Sequence, residues 1–285
     1  MKMNKLLLGL VLLPPLGSNA QDAKFAPVAQ GTLLVNPSYI VDFDEESRIA
    51  HWVHYELTTH EVSGSASRSN QFRRDGRASN SAHPQNYKSS GYDRGHLKPA
   101  GDSKSSAREM ANSFWMTNVF PQTPSLNRGL WRTLEQGVRG WASSYSSVHV
   151  SIGASLQTQG HLANQVRVPT YCWKAILRTA PDTAVIAFWM PNAAGVEGNP
   201  SDYIVSVDLL ESRIGMDLFP KLPDSTERRL ESIAVPWSMA KGKRSSNSGT
   251  GVSASHQCSG RARSTGKRCR NMTTHPSGTC HHHRD

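Results

Sequence analysis

The stretch YDRGHLKPAGD, residues 92–102, is the part of the chain that decides how the rest is interpreted. It places Asp93, Arg94 and His96 around a single glycine, and Asp102 follows closely. These residues do not belong to an apolar repeat of a helix or a strand, and a loop that only joined two strands would need no more than Gly, Asn or Ser. The stretch therefore predicts side-chain chemistry at this point of the fold.

The flanking sequence predicts an α+β domain built on antiparallel sheet with flanking helices. Residues 38–57 are typical of a hairpin in which two β-rich runs flank the polar turn Asp44–Ser47. Residues 63–90 contain few apolar side chains and predict a surface loop that leads into the quoted stretch. The later elements show no regular β-α alternation, which favours antiparallel sheet. Strands are expected at 148–154, 171–177 and 183–192, and helices at 130–145, 202–213 and 223–234.

His96 and Arg94 have the chemistry that phosphodiester hydrolysis requires. The reaction needs a base that takes a proton from water, positive charge near the phosphate, and a way to protonate the leaving oxygen. Histidine can act as a base near neutral pH without a large perturbation of its pKa. Arg94 lies two residues away on an extended segment, so both side chains are expected on one face. His96 is therefore the predicted general base.

A second set of residues recurs every four positions in the predicted helix. Asn127, Trp131, Glu135 and Arg139 would share a broad face, because four residues at 3.6 per turn drift by only ~40°. An ideal rise of ~1.5 Å per residue separates Asn127 from Glu135 by ~12 Å, too far for both to bind one ion directly. We therefore expect Asn127, at the helix start, to be the direct metal ligand and Glu135 to act through a metal-bound water. A cation held by one neutral amide keeps most of its waters, which favours Mg²⁺.

The chain resembles the DNA/RNA non-specific endonucleases of the ββα-metal fold, a family that includes enzymes similar to endonuclease G. The resemblance rests on SGYDRGHLKPAGD with Tyr87 upstream, on FWMTNVFPQ (114–122) and on LNRGLWRTLEQGVR (126–139). It extends more loosely through VPTYCWKAIL, AFWMPN and DYIVSVDLLESRIGMDLFPKL, and it covers roughly residues 35–237.

The resemblance implies an endonuclease that depends on Mg²⁺ or Mn²⁺. It implies that His96 is the general base, that Asn127 binds the Mg²⁺ ion and that Glu135 orients metal-bound water. Arg94 and Arg139 would contact the phosphate or stabilise its developing charge. The positions that match supporting residues of the family are Asp93 and Asn118.

The predicted site also indicates a broad range of nucleic-acid substrates. A hydrated metal ion and arginine side chains would bind phosphate groups, and contacts with phosphate do not distinguish one base from another. Water is the nucleophile, so no 2′-hydroxyl is needed. We therefore expect both DNA and RNA to be cut with weak sequence preference.

Each of these residues also has an ordinary structural interpretation. A histidine beside an arginine is usually a surface residue, an asparagine at a helix start is usually a cap, and a glutamate four residues before an arginine usually forms a surface ion pair. Only their joint occurrence, in this order and within these flanking motifs, favours the nuclease.

The last part of the chain holds three evenly spaced cysteines followed by histidines. Cys258, Cys269, Cys280 and His283 could form a tetrahedral Zn²⁺ site, since three thiolates and one imidazole are a common ligand set. The competing interpretation is a disulfide between two of the three, because exported cysteines are commonly oxidised, with the third spare or joined to Cys172. Otherwise Cys172 is most simply a small buried apolar residue. The closing histidines could also belong to a truncated purification tag.

The net charge of +10 is concentrated in the same tail. Residues 21–237 contain 21 basic and 21 acidic residues, whereas residues 238–285 contain nine basic residues and one acidic residue. A basic tail favours attraction to a polyanion, nucleic acid first, although it could also be a solvated segment that aids solubility.

Deletion of residues 241–285 tests this interpretation. We expect weaker nucleic-acid binding at low salt and unchanged cleavage chemistry, because each phosphate contact contributes ~0.9 to the slope of log K against log salt. Binding measured across a salt series gives the slope, and a truncated protein with the same affinity and slope would contradict the tether.

The chain begins with the features of an export signal. Lys2 and Lys5 precede an apolar run, and small residues end at Ala20, which predicts a signal peptide over residues 1–20 that is cleaved there. The run is too short for a permanent membrane span, so the mature protein is expected to be periplasmic or secreted and free of the membrane. The remaining predicted parts are an endonuclease domain (21–240), a Gly/Ser-rich linker (241–256) and the basic Cys/His-rich tail (257–285).

Two further hypotheses compete with the nuclease. One is an inactive or weakly active nuclease-like protein that binds polyanions through its tail, and the other is hydrolysis of other phosphodiesters. The presence of His96, Asn127 and Glu135 favours the nuclease. Cleavage of DNA and RNA with Mg²⁺ or with chelator separates the enzyme from the binder, and a small activated diester tests the third function.

Overall fold

A computed structural model describes residues 24–237 and two short strands further on, His256–Gln257 and Met272–Thr273. The chain divides into two compact units, Met1–Gly242 and Lys243–Asp285. In the second unit the two short strands pair antiparallel. The predicted signal peptide, the linker and the cysteines and His283 of the tail lie outside the described residues.

A seven-stranded antiparallel sheet forms the centre of the first unit. Its strands are β1 (Thr32–Asn36), β2 (Tyr39–Asp44), β3 (Ile49–Thr58), β6 (Ser147–Ala154), β9 (Tyr171–Arg178), β10 (Ala184–Pro191) and β11 (Ile204–Val205). They lie in the order β1-β2-β3-β6-β9-β10-β11. The predicted hairpin is confirmed as β2 and β3, and the three later strands are confirmed as β6, β9 and β10. Two smaller pairs are β4 (Asp93–His96) with β5 (Val119–Gln122), and β7 (Thr158–His161) with β8 (Arg167–Pro169).

Helices flank the sheet, as the α+β prediction requires. The helices of the first unit are α1 (Thr59–Ser63), α2 (Ala107–Asn112), α3 (Pro124–Arg128), α4 (Leu130–Tyr145), α5 (Val207–Ile214) and α6 (Asp224–Glu231). The residues predicted as a helical run over 130–145 all lie in α4, whereas the expected helix start at Asn127 lies outside it. The helix predicted over 202–213 begins only at Val207, because Ser206 caps it through the backbone N–H of Leu209.

Alternating side chains give the sheet two apolar faces. Along β9, Cys172 and Ile176 pack in one cluster with α4, whereas Trp173 and Leu177 pack in another cluster with α5. This alternation follows from the two-residue period of a strand. The sheet therefore has an α4 face and an α5 face. Cys172 is buried with a free thiol, which confirms its interpretation as a small buried apolar residue.

The quoted stretch forms β4, whose partner is β5. His96 pairs with Val119 and Asp93 pairs with Gln122. The chain then reaches α3, which has Pro124 in its first turn, where a missing N–H costs nothing. Strand β4, strand β5 and the following helices form one ββα unit.

The prediction of one continuous helical face through Asn127, Trp131, Glu135 and Arg139 is wrong. Gly129 ends α3 and begins α4 with φ −105° and ψ −110°, values outside the helical region. Asn127 therefore lies near the end of a separate short helix, not at the start of the long one. Trp131 is fully buried in the core and contributes no polar chemistry.

The loop over residues 63–90 is only partly a surface loop. It has a single 3₁₀ turn, Pro84–Tyr87, but Asp75 and Tyr87 are buried. The backbone of Arg73 is hydrogen-bonded to Phe114 and Met116. The segment is thus packed along the ββα unit despite its polar composition. None of the helices formed by the described residues is long and apolar enough to cross a membrane.

His54 makes the stability of this core sensitive to acid. Burial, together with nearby His149, lowers the pKa of His54 to about 3, and its Nδ1 lies 2.8 Å from Ser151 Oγ. The His54 side chain binds a proton near its ordinary pKa of ~6.5 in the unfolded chain but stays neutral in the folded protein, so stability falls as the pH drops below that value.

We expect the free energy of unfolding to fall by about 2 kcal/mol between pH 7 and pH 5 because of His54. Urea unfolding at both pH values measures it. His54→Gln should reduce the loss, whereas substitution of exposed His60 by Gln should leave it unchanged.

Candidate active site

His96 lies in an aromatic pocket at the end of β4. Its ring packs against Phe72, with centroids 5.1 Å apart, and edge-on against Phe114 at 4.9 Å. The side chain is buried, and Nε2 has no hydrogen-bond partner among the described residues. Burial, with Arg68 and Arg94 nearby, lowers the pKa of His96 to about 3. The imidazole is therefore neutral at physiological pH and can accept a proton.

Two arginines flank this imidazole. Arg94 lies over the Phe72 ring at 4.6 Å, and Arg68 lies over the Phe114 ring at 5.2 Å. The two rings that hold His96 thus also hold the two guanidinium groups, as cation–π contacts allow. The expectation that Arg94 and His96 share a face is confirmed by their common contact with Phe72.

Asp93 connects strand β4 to Asn127. The amide nitrogen of Asn127 donates to Asp93 Oδ2 at 2.8 Å, and Arg128 donates to both oxygens of the same carboxylate, at 2.8 and 2.6 Å. Burial opposes ionisation, but these hydrogen bonds hold the pKa of Asp93 below its usual value. Since the Nδ2 of Asn127 is engaged by Asp93, its Oδ1 is the atom available to a cation.

Glu135 lies on α4 among opposing charges. Burial raises its pKa to about 7, and the ammonium of Lys174 opposes that rise. Asp102 raises the pKa of Glu135 further, whereas Arg139 and Arg68 lower it. Because Arg68 also acts on His96, it is an electrostatic neighbour of both the imidazole and the carboxylate.

Arg139 is held in place by an ion pair. Its Nη1 donates to Asp102 Oδ1 at 2.7 Å, and Tyr55 donates its hydroxyl hydrogen to Asp102 Oδ2 at 3.0 Å. The guanidinium packs closely against Gly101, where a Cβ would lie 2.9 Å from Arg139 Nη1. Arg139 retains a partly exposed side chain, so its remaining donors can reach a phosphate.

Asn118 braces the backbone beside the site. Its Oδ1 accepts from the Lys98 N–H at 2.8 Å, and its Nδ2 donates to the carbonyls of Lys98 and Ser113. These bonds fix the chain that leaves His96. The geometry is that of a supporting residue, as expected for Asn118.

Several residues that surround the site were not predicted from the sequence. They are Phe72, Phe114, Arg68, Asp102 and Lys174. Asp102 lies within the quoted stretch, so its proximity was a signal, but nothing in a polar loop distinguishes Arg68 from its arginine neighbours. Lys174 lies in an apolar strand at a position that faces α4, and its buried Nζ lies 4.9 Å from the centre of the Trp131 ring. A lysine within an otherwise apolar strand is the feature of the sequence that could have indicated this residue.

The donor set suits a hard divalent cation. One amide oxygen and a nearby carboxylate are oxygen ligands, which Mg²⁺ and Mn²⁺ accept. Asn127 would hold the ion through Oδ1, and Glu135 would act on water around it. The ordered hydrogen bond from Asn127 to Asp93 fits this role, because it fixes which end of the amide is free.

A ββα unit that carries this imidazole, amide, carboxylate and arginine set defines a nuclease of the ββα-metal class. A family model described as DNA/RNA non-specific endonuclease matches residues 17–225. The chain belongs to this family of metal-dependent nucleases and is a nuclease.

Relatives and a solved structure agree with this assignment. The chain is 30% identical over 228 residues to a nuclease of Nostoc sp., covering 75% of this chain and 82% of the relative. It is 29% identical over 218 residues to human mitochondrial endonuclease G, covering 70% and 73%. To zebrafish mitochondrial nuclease EXOG it is 33% identical over 205 residues, which covers 65% of this chain but only 60% of that protein. A crystal structure of an EndoG/EndoGI complex matches with a TM-score of 0.67 and 25% identity, covering 74% of this chain and 95% of the other.

Replacement of Asp93 by asparagine tests its hold on Asn127. The neutral amide loses the charge that pairs with Arg128 and can no longer fix the Asn127 amide in one orientation. We expect the Mg²⁺ concentration that gives half-maximal cleavage to rise by about 10- to 100-fold, the usual effect of losing an outer-shell partner. Titration of activity with Mg²⁺ measures this, with exposed Asp182→Asn as the control. Unchanged metal dependence in Asp93→Asn would show that the carboxylate has no such role.

Proposed function

We propose that the protein is an exported, Mg²⁺-dependent endonuclease that hydrolyses DNA and RNA with weak sequence preference, and that His96 is its general base. The observation that carries this proposal is the neutral, unpartnered His96 Nε2 within a pair of arginines. A neutral imidazole with a free nitrogen can take a proton from water, and the arginines favour an anionic substrate beside it.

The other side chains of the site bind the phosphate, the cation and the water. Arg94 and Arg139 bind the phosphate and stabilise its developing negative charge. Asn127, oriented by Asp93, holds the cation, and Glu135 orients water beside it. When bound, Mg²⁺ supplies positive charge near the scissile phosphate. Arg68 adds a third positive group close to both His96 and Glu135.

The lack of base preference follows from the same groups. In the proposed roles the arginines and the cation bind phosphate oxygens, and contacts with phosphate do not depend on the identity of the base. No group in the proposed step requires a 2′-hydroxyl. DNA and RNA are therefore both substrates.

Export and the roles of the tail are proposals from sequence. The apolar leader ending at Ala20 supports export to the periplasm or the medium. The nine basic residues after position 237 support a tether to nucleic acid. Cys258, Cys269, Cys280 and His283 support a Zn²⁺ site, with a disulfide as the competing state.

Digestion controlled by a chelator tests the function. Plasmid DNA and a long RNA are incubated with the full chain, with Mg²⁺, with Mn²⁺ or with excess chelator. We expect both polymers to be cut internally with either metal and to remain intact with chelator. A shift in electrophoretic mobility without cleavage would instead support the polyanion-binding protein.

A further inference from the structure

Three carboxylates meet on the α5 face of the sheet, the face opposite to α4. Asp208 and Glu211 lie three residues apart on α5, and Glu231 is the last residue of α6. One carboxylate oxygen from each of the three lies within 4.8 Å of the other two. This cluster of acids is separate from the ββα unit, because α5 packs in the apolar cluster that contains Trp173, whereas α4 packs in the other apolar cluster.

Glu231 is the unusual member of this cluster. Its exposed fraction is 1%, and its Oε1 has no hydrogen-bond partner within the described part of the chain. An unpaired carboxylate oxygen is costly to bury, so such groups in proteins are normally paired or bound to a metal. The carboxylate is buried where the two other acids converge, which is the reverse of what repulsion alone would produce.

No positive group within residues 24–237 compensates the cluster directly. The salt bridges of that range leave out Asp208, Glu211 and Glu231. Glu211 Oε1 accepts from the backbone N–H of Leu218 at 2.7 Å, which satisfies one oxygen of one residue. The cluster therefore has several free oxygens and no counter-charge in contact.

The surrounding charges make the deficit larger. Burial raises the pKa of Glu231 to about 8, and Glu211, Glu227, Asp208 and Asp217 add to that rise. All of these neighbours are acidic. A bound positive charge at the centre would relieve both the burial cost and the repulsion.

We propose that Asp208, Glu211 and Glu231 bind a Ca²⁺ ion at a site separate from the catalytic one. Ca²⁺ binds carboxylate oxygens at 2.3–2.6 Å, so two oxygens on one ion can lie up to about 4.8 Å apart. The three oxygens meet that limit. Mg²⁺ requires shorter distances of about 2.1 Å and near-ideal octahedral geometry, which three side chains from two helices and a buried position match less well. Bound Ca²⁺ would join the first two turns of α5 to the end of α6 and stabilise this side of the sheet.

Calcium titration of the full chain tests the site. Isothermal titration calorimetry is performed on Asn127→Ala, which removes the predicted ligand of the catalytic cation, and then on Asn127→Ala with Asp208→Asn. We expect the first protein to bind Ca²⁺ and the second to lose that binding or weaken it at least tenfold. Asp208 is exposed, so its replacement by the isosteric amide preserves the fold. Exposed Glu197→Gln, outside the cluster, is the matched control and should retain full affinity.

Thermal unfolding gives a second and independent measurement. Ca²⁺ should raise the melting temperature of Asn127→Ala by several degrees, because a ligand that binds only the folded state stabilises it. The rise should be absent in the variant that also carries Asp208→Asn, and in one that carries Glu231→Gln. If Asn127→Ala binds no Ca²⁺, or if Asp208→Asn leaves both the affinity and the temperature shift unchanged, the proposal is wrong. If the cluster binds only a proton, Asp208→Asn will leave the Ca²⁺ affinity and the temperature shift unchanged. Glu231→Gln will then stay folded, and Ca²⁺ will not change its melting temperature.

Discussion

His96→Ala is expected to lower kcat for DNA cleavage by about 10²- to 10⁴-fold, the range that a general base contributes. The imidazole is neutral and lies near Arg68 and Arg94, and alanine cannot accept a proton in its place in the aromatic pocket. Because Arg94 and Asn127 are retained, substrate binding should change much less than kcat. Single-turnover cleavage at saturating Mg²⁺ separates the two quantities.

The control for this variant must exclude a general loss of folding. Exposed His60→Ala should cleave like the unchanged protein, and His96→Ala should keep its melting temperature within a few degrees. His96→Gln adds a stricter comparison, since it restores polarity and much of the volume but not the basicity. Substantial activity in both variants at position 96 would remove the imidazole from the mechanism.

Asn127→Ala is expected to abolish activation at ordinary Mg²⁺ concentrations. Its Oδ1 is the predicted ligand atom, and alanine offers nothing in its place while leaving the Asp93–Arg128 ion pair intact. At millimolar Mg²⁺ we expect the cleavage activity to fall by at least about 10²-fold, and to recover in part as the Mg²⁺ concentration is raised. Cleavage measured across a wide Mg²⁺ series gives both the plateau and the midpoint.

The midpoint distinguishes a ligand from a purely structural residue. If Asn127 only positioned Asp93, the plateau would fall and the Mg²⁺ dependence would stay the same. Exposed Asn80→Ala serves as the matched control. Asn127→Asp is a further comparison, since it keeps an oxygen ligand but places two carboxylates side by side at Asp93. A midpoint that does not move in Asn127→Ala would contradict the role of metal ligand.

Much of the fold could be predicted because its signals are local. The runs VHVSIGA, YCWKAIL and TAVIAFWMPN are rich in β-branched and aromatic residues, and each became a strand within a residue or two. The long helix α4 has apolar residues at helical spacing, so the run 130–145 was predicted as helix, although the helix start was placed too early, at Asn127. The polar DRGH stretch stood out because no structural period required it.

The errors have a common physical origin in backbone geometry and distant packing. Glycine at position 129 is compatible with a helix at modest cost, so periodicity alone extended α4 back to Asn127. Buried Asp75 pairs with Arg77 two residues away, but it also accepts a hydrogen bond from the hydroxyl of Thr117, 42 positions along the chain. The meeting of Asp208, Glu211 and Glu231 likewise depends on how two helices pack, which neither helix's sequence specifies.

The break at Gly129 has a practical consequence for how this enzyme can vary. A methyl group there would lie 2.4 Å from the Ser125 carbonyl oxygen, too close for either backbone to tolerate. Any side chain at this position would force the backbone at Ser125 or at Gly129 to move, and with it the end of α3 that carries Asn127. A residue with no functional group thus fixes the position of the short helix that carries Asn127, and we expect Gly129→Ala to lower the cleavage activity.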